Sequence, residues 1–199
     1  MVVSQPIIMG VLNITPDSFS DGGLFFDSKS AITQAEVMVQ EGAGIIDIGG
    51  ESTRPGAPEV SIEDELNRVI PVIEALSSNI DIPISIDTSK PIVMEKAFNA
   101  GASIINDVNA LRSEGALQMA ASLQADVCLM HMQGSPRTMQ KNPTYDNVVS
   151  DVKAFFEQRI EACKSAGIKL NAITLDPGFG FGKNLGHNIA LLKNLSEFH

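Results

Sequence analysis

Ile45-Ile46-Asp47-Ile48-Gly49-Gly50-Glu51-Ser52-Thr53-Arg54-Pro55-Gly56 joins a buried strand, a carboxylate and a cationic turn in one short run. The apolar stretch on either side of Asp47 has the composition of a strand covered on both faces. Glycines at 49 and 50 let the backbone leave the sheet. The loop beyond them carries a hydroxyl, a guanidinium and a rigid bend, groups that can hold an anion. An ordinary strand-to-helix connection with a solvated Arg54 would look the same at this one place, so the rest of the chain has to decide.

The pattern recurs. Short Ile- and Val-rich runs predict strands at Ile7 to Leu12, Ile45 to Gly49, Ile84 to Asp87, Ser103 to Asp107, Val127 to Met130 and Ala172 to Asp176. Each is followed by Gly, Asp or Asn and then by a stretch of helical spacing, which is βα repetition and predicts an α/β fold. Ser61 should cap the second helix with Asp64 at its third position. Ser89-Lys90-Pro91 should open the third and Gly101 close it. Tyr145 to Gly167 reads as a long amphipathic helix with Val149, Val152, Phe156 and Ile160 on one face.

With 199 residues, 44% hydrophobic and 19% charged, the chain is sized for one globular domain, residues 1–199. Its net charge of -10 argues against non-specific binding to nucleic acid or an anionic membrane. Any phosphate it binds needs local cations or a metal. Cys128 and Cys163 stand far apart, without disulfide or zinc spacing, which fits a reducing cytoplasm.

Asp47, Asp87, Asp107 and Asp176 each stand at or just inside the C-terminal end of a predicted strand, with Asn13 and Asn106 in matching places. In parallel α/β folds those ends share one face, so the six side chains are expected to converge there. Any one alone would be read as a cap for the next helix. Other chemistries fail on spacing. In Gly178-Phe179-Gly180-Phe181-Gly182-Lys183-Asn184, Pro177 replaces the first P-loop glycine, Asn184 replaces its Ser or Thr, and Lys183 replaces the third glycine of a dinucleotide fingerprint. His131 suits a ligand or a base, but His187 and His199 give it no zinc-site spacing.

Taken together, these stretches closely resemble the dihydropteroate synthase family of pterin-binding enzymes. The resemblance rests on the residues from Met9 through Asn13-Ile14-Thr15-Pro16-Asp17-Ser18-Phe19 to Gly23 and on Gly50-Glu51-Ser52-Thr53-Arg54-Pro55-Gly56. It continues through Ser85-Ile86-Asp87-Thr88, Ile105-Asn106-Asp107-Val108, Leu129-Met130-His131-Met132 and Asp176-Pro177-Gly178-Phe179-Gly180-Phe181-Gly182-Lys183. It implies a TIM-barrel type (β/α)8 fold with its site at the C-terminal strand ends. About six βα units are present, and the last two, with the family's Lys-x-Ser and Arg-x-His segments, are missing. The family's homodimer interface draws on those last helices, so it is not carried over.

The family joins 6-hydroxymethyl-7,8-dihydropterin pyrophosphate to p-aminobenzoate, releasing 7,8-dihydropteroate and pyrophosphate, and is the target of sulfonamides. The resemblance puts Asp47, Asp87, Asn106, Asp176 and Arg54 in catalytic roles. It puts Asp87, Asn106, Met130, Asp176, Gly180 and Lys183 against the pterin, and Phe19, Thr53, Arg54, Pro55 and Phe181 against p-aminobenzoate and pyrophosphate. Asn13 matches the ligand of a Mg2+ ion whose other ligands are water and phosphate oxygens. A pterin-binding remnant without turnover, and a pterin-dependent methyltransferase of similar barrel, are the alternatives that the motifs leave open.

Overall fold

The computed structural model describes residues 5–14, 24–52, 57–135 and 138–198, with only the backbone described for 24–27. Six strands alternate with six helices: β1 (Met9–Asn13), α1 (Leu24–Gln40), β2 (Ile45–Gly49), α2 (Ile62–Ser77), β3 (Ile84–Asp87), α3 (Pro91–Ala100), β4 (Ile104–Asp107), α4 (Ala116–Ser122), β5 (Asp126–Met130), α5 (Val148–Ser165), β6 (Ile173–Asp176) and α6 (Leu185–Lys193). Strand order follows chain order in a six-stranded sheet, and the pairs β1–β2, β2–β3 and β5–β6 are parallel. This is the α/β, TIM-barrel type alternation that the sequence predicts, in six βα units. Among the described residues no helix is long and apolar enough to cross a membrane.

The chain divides into two compact units, Met1–Ser52 with Glu59–Ile105, and Thr53–Pro58 with Asn106–His199. In the first, the register pairs Val11 with Asp47 and Asp47 with Ser85, and pairs Asn13 with Gly49 and Gly49 with Asp87. Side chains alternate along a strand, so Asn13, Asp47 and Asp87 share one face while Ile46, Ile48, Ile84 and Ile86 form the other, fully packed face. The Ser61 hydroxyl accepts from the Asp64 amide at 3.0 Å and caps α2. Val69, Val72, Ile73 and Leu76 carry α2 into the core despite Pro71 inside it. Gly101 ends α3 in the left-handed region with φ 119°.

In the second unit Val148, Val152 and Phe156 of α5 pack with Leu191 of α6, joined by Phe155, Leu175 and Phe198. Asn147 caps α5 by accepting from the amides of Val149 and Ser150. The β5–β6 register pairs Met130 with Asp176, which places both at the same strand level on the same face.

Candidate functional site

In the first unit, an atom added as Cβ to Gly49 would lie 3.5 Å from both Asn13 Oδ1 and Asp87 Oδ2. The missing side chain keeps a small space open between an amide oxygen and a carboxylate, at the C-terminal strand ends. Asp47 sits one layer deeper on that face and is 2% exposed. Oxygen donors of this hardness suit Mg2+ or the polar edge of a heterocycle. Among the described residues no group of three His, Cys, Asp or Glu side chains could hold a metal alone.

Glu51, just past this face, is held through both carboxylate oxygens. Its Oε1 accepts from the Val60 amide at 3.3 Å, and its Oε2 accepts from Lys90 Nζ. Lys90 also donates to Glu65 Oε2, and Arg68 donates to the Gly50 carbonyl at 2.7 Å. Glu65 is 1% exposed, and its Oε1 has no hydrogen-bond partner. Burial opposes the charge on Lys90, but hydrogen bonds to Glu51 and Glu65 and their negative charges outweigh it and raise the Lys90 pKa above the ordinary lysine value. The sequence reading missed this network. Its signal was Glu65 itself, a carboxylate on the apolar stripe formed with Val69, Val72 and Leu76, where a charge needs a buried partner.

In the second unit, Asp176 Oδ1 accepts from the Gly178 amide at 2.7 Å, which fixes the carboxylate at the end of β6. Phe181 packs against a buried cluster of Val108, Met130, Met132 and Met139. The turn carrying Gly180 and Phe181 is held from outside as well. Gly180 donates its amide to Asn188 Oδ1 at 3.0 Å and accepts from Gln140 Nε2, while Tyr145 donates its hydroxyl to the Gly182 carbonyl at 2.8 Å. Asn106, half-buried on β4, alternates with buried Asp107.

Hydrogen bonding engages two of the expected residues. Asp107 accepts from the amides of Asn109 and Leu111, both at 2.8 Å, so its carboxylate shapes the loop after β4. Lys183 is 3% exposed and donates to the carbonyls of His131, Gly178 and Phe181 at 3.0, 2.9 and 2.9 Å. An ammonium has three N–H groups, so none is left for a pterin in this arrangement. Burial brings its pKa down to about 8, against the pull of Asp176.

His131 is 7% exposed, with its ring 4.9 Å from that of Phe155 in an edge-on contact. Burial, then the charges of Lys183 and Arg112, push its pKa down to about 3. It stays neutral near pH 7 and is too weak a base to take up a proton there. Phe19, Thr53, Arg54 and Pro55 lie outside the described residues.

Comparison with known proteins bears on the family and the fold. The family model described as pterin binding enzyme matches residues 9–199. Dihydropteroate synthase of Escherichia coli strain K12 is 54% identical over 197 residues, covering 99% of this chain and 70% of that protein. The crystal structure of Yersinia pestis dihydropteroate synthase with a sulfonamide drug superposes with a TM-score of 0.93 at 53% identity, over 100% of this chain and 72% of that one. The Xanthomonas albilineans dihydropteroate synthase with 4-aminobenzoic acid gives 0.91 at 49% identity, over 98% and 69%. With the strand-end acids, the glycine-bounded turn after β6 and a match along nearly its whole length, the chain belongs to the pterin binding enzyme family.

Proposed function

We propose that the chain carries dihydropteroate synthase activity: it joins 6-hydroxymethyl-7,8-dihydropterin pyrophosphate to p-aminobenzoate and releases 7,8-dihydropteroate and pyrophosphate. The observation that carries this reading is the facing pair Asn13 and Asp87 across Gly49, because it sets a heterocycle-binding carboxylate beside an oxygen donor suited to a metal–phosphate group. We assign Asp87, Asn106 and Asp176 to hydrogen bonding with the N–H edge of the pterin. Met130 and Phe181 supply an apolar wall.

The bond from the pterin methylene carbon to the pyrophosphate oxygen breaks, and its electron pair leaves with the pyrophosphate. Positive charge grows on the methylene, where Asp47, Asp87 and Asp176 stabilise it. The lone pair of the aniline nitrogen then forms the new C–N bond, and that nitrogen loses a proton to pyrophosphate or solvent. Asn13 would hold a Mg2+ ion, which would supply positive charge against the leaving group when bound. Arg54 adds a second cation there, while Thr53, Pro55 and Phe19 contribute to the p-aminobenzoate and pyrophosphate contacts alongside Gly180 and Phe181. Sulfonamides compete for the p-aminobenzoate position. We assign the chain to the cytoplasm, in keeping with Cys128 and Cys163, which form no disulfide.

The test is dihydropteroate formation from labelled p-aminobenzoate, with pterin binding measured by titration calorimetry. Asp87→Asn removes one charge-assisted acceptor, a loss of roughly 1.5 to 3 kcal/mol that weakens pterin binding about 10- to 150-fold. Arg54→Ala raises the pyrophosphate inhibition constant. Wild-type affinity in Asp87→Asn would overturn the assignment.

A further inference from the structure

We propose that Lys183 is a positioning residue: its ammonium, taken up wholly by the carbonyls of His131, Gly178 and Phe181, holds the turn that presents Asp176 and Phe181, and it acts on the pterin without touching it. The inference rests on the assignment of Asp176 and Phe181 to pterin binding made above.

The turn from 178 to 182 is pressed against the chain just after β5. An atom added as Cβ to Gly178 would lie 2.1 Å from the His131 carbonyl oxygen, and one on Gly182 would lie 2.7 Å from the Gln133 carbonyl oxygen. Gly178 and Gly182 have φ of 67° and 63°, so close approach and left-handed backbone both demand glycine there. Such a turn gathers carbonyl oxygens inward, and carbonyls turned away from water need donors. Lys183 supplies all three at once. Two of the carbonyls belong to the turn and the third to the residue after β5, so one ammonium fastens the end of β6 to the end of β5. A second link leads from the clamp to the site. Of the two turn residues whose carbonyls Lys183 holds, Gly178 gives its amide to the Asp176 carboxylate, and Phe181 packs against the apolar cluster that contains Met130. Loss of the clamp therefore displaces an acceptor and a wall together.

Lys183→Met keeps the length of the side chain and removes every donor. It is to be compared with wild type, Asp176→Asn and Tyr145→Phe in calorimetric titration of the full chain with 6-hydroxymethyl-7,8-dihydropterin pyrophosphate, from pH 6.5 to 9.5. Lys183→Met should weaken binding at least tenfold at pH 7 while the chain remains folded by circular dichroism. Tyr145→Phe, which removes only the outer bond to the Gly182 carbonyl, should give a smaller loss of the same sign. The pH profile separates positioning from a merely structural role. Above pH 8 a neutral Lys183 amine has two N–H groups for three carbonyls, so wild-type affinity should fall there, and the fall should be absent in Lys183→Met. The groups around the amine are Asp176, which favours its charge, the neutral His131 ring and the Tyr145 hydroxyl, whose pKa is pushed up to about 12. Neither the His131 ring nor the Tyr145 hydroxyl titrates between pH 8 and 9.5. Unchanged affinity in Asp176→Asn would sink the pterin assignment itself. Weakened binding in Asp176→Asn, with wild-type affinity and the wild-type pH profile in Lys183→Met, would overturn the role given to Lys183.

Discussion

Lys90 and Lys183 each lie withdrawn from water beside a loop that follows a strand, yet they are charged on opposite terms. Lys90, in the first unit, shares its ammonium between the carboxylates of Glu51 and Glu65, and its pKa is raised. Lys183, in the second, has three neutral carbonyls, and its pKa falls to about 8. Withdrawal from water disfavours both ammonium groups. A full negative charge outweighs that penalty and a carbonyl dipole does not. The first arrangement ties three elements together at the risk of stranding a buried charge, whereas the second risks only unmet carbonyls.

The difference can be broken most forcefully at Lys90. Lys90→Met leaves the buried Glu65 carboxylate without its cation and should lower the unfolding free energy by about 3 to 5 kcal/mol. Adding Glu65→Met should restore most of that loss. Urea unfolding of both variants at pH 7 checks this, and equal losses in the two would mean that the stranded carboxylate is not the cause.

Lys183→Met removes donors without stranding a charge and should cost about 1 to 3 kcal/mol. The signs of the pH dependence sharpen the contrast. A folded pKa of about 8 lies below the ordinary lysine value of 10.5, so the unfolded chain holds more protons between those values. Lys183 therefore makes stability rise with pH across that window, by up to about 1.4 kcal/mol per unit. For Lys90 the folded pKa is the higher one, so its contribution is complete below 10.5 and disappears as pH rises past it. Unfolding free energies at pH 7.5 and 9.5 should show a positive slope in wild type that Lys183→Met lacks.

The smallest effect belongs to His131, whose folded pKa of about 3 lies below the ordinary 6.5. The unfolded chain takes up a proton that the folded one refuses, so stability falls as pH drops from 6.5 toward 3. Between pH 6.5 and 5.5 the difference is about 1 kcal/mol. His131→Phe keeps an aromatic ring against Phe155 and should flatten that part of the profile in paired urea melts.

The elements were largely legible in the sequence because their signals are local. Ile45–Gly49 and Ile84–Asp87 form as read, Ser61 caps α2, and Gly101 closes α3. Strand ends drifted by one or two residues where flanking apolar residues, such as exposed Ile7 and Ile8 before β1, extend the pattern past the strand. Pro71 would have broken α2 on local rules, but the buried stripe around it outweighs one lost backbone bond. The placement of Asn13 with Asp87 followed from strand-end position alone. The fate of Asp107 and Lys183 did not, because it depends on which backbone amides and carbonyls a loop turns inward. No residue-type pattern encodes that. Glu51 and Lys90 stand 39 positions apart and meet only once the strands pair.

The alternation in β2 has a consequence for how the chain finds its structure. Ile46 and Ile48 flank Asp47, so sliding β2 by one residue against its neighbours would turn the carboxylate toward the helices and two isoleucines toward the site. That misaligned species would bury an uncompensated charge, while one carrying Asp47→Leu would not. The same carboxylate thus marks the register during assembly. A carboxylate kept at this position therefore guards against trapped, mispaired chains, and a substitution there would raise the fraction of protein recovered as aggregate before any assay of the survivors.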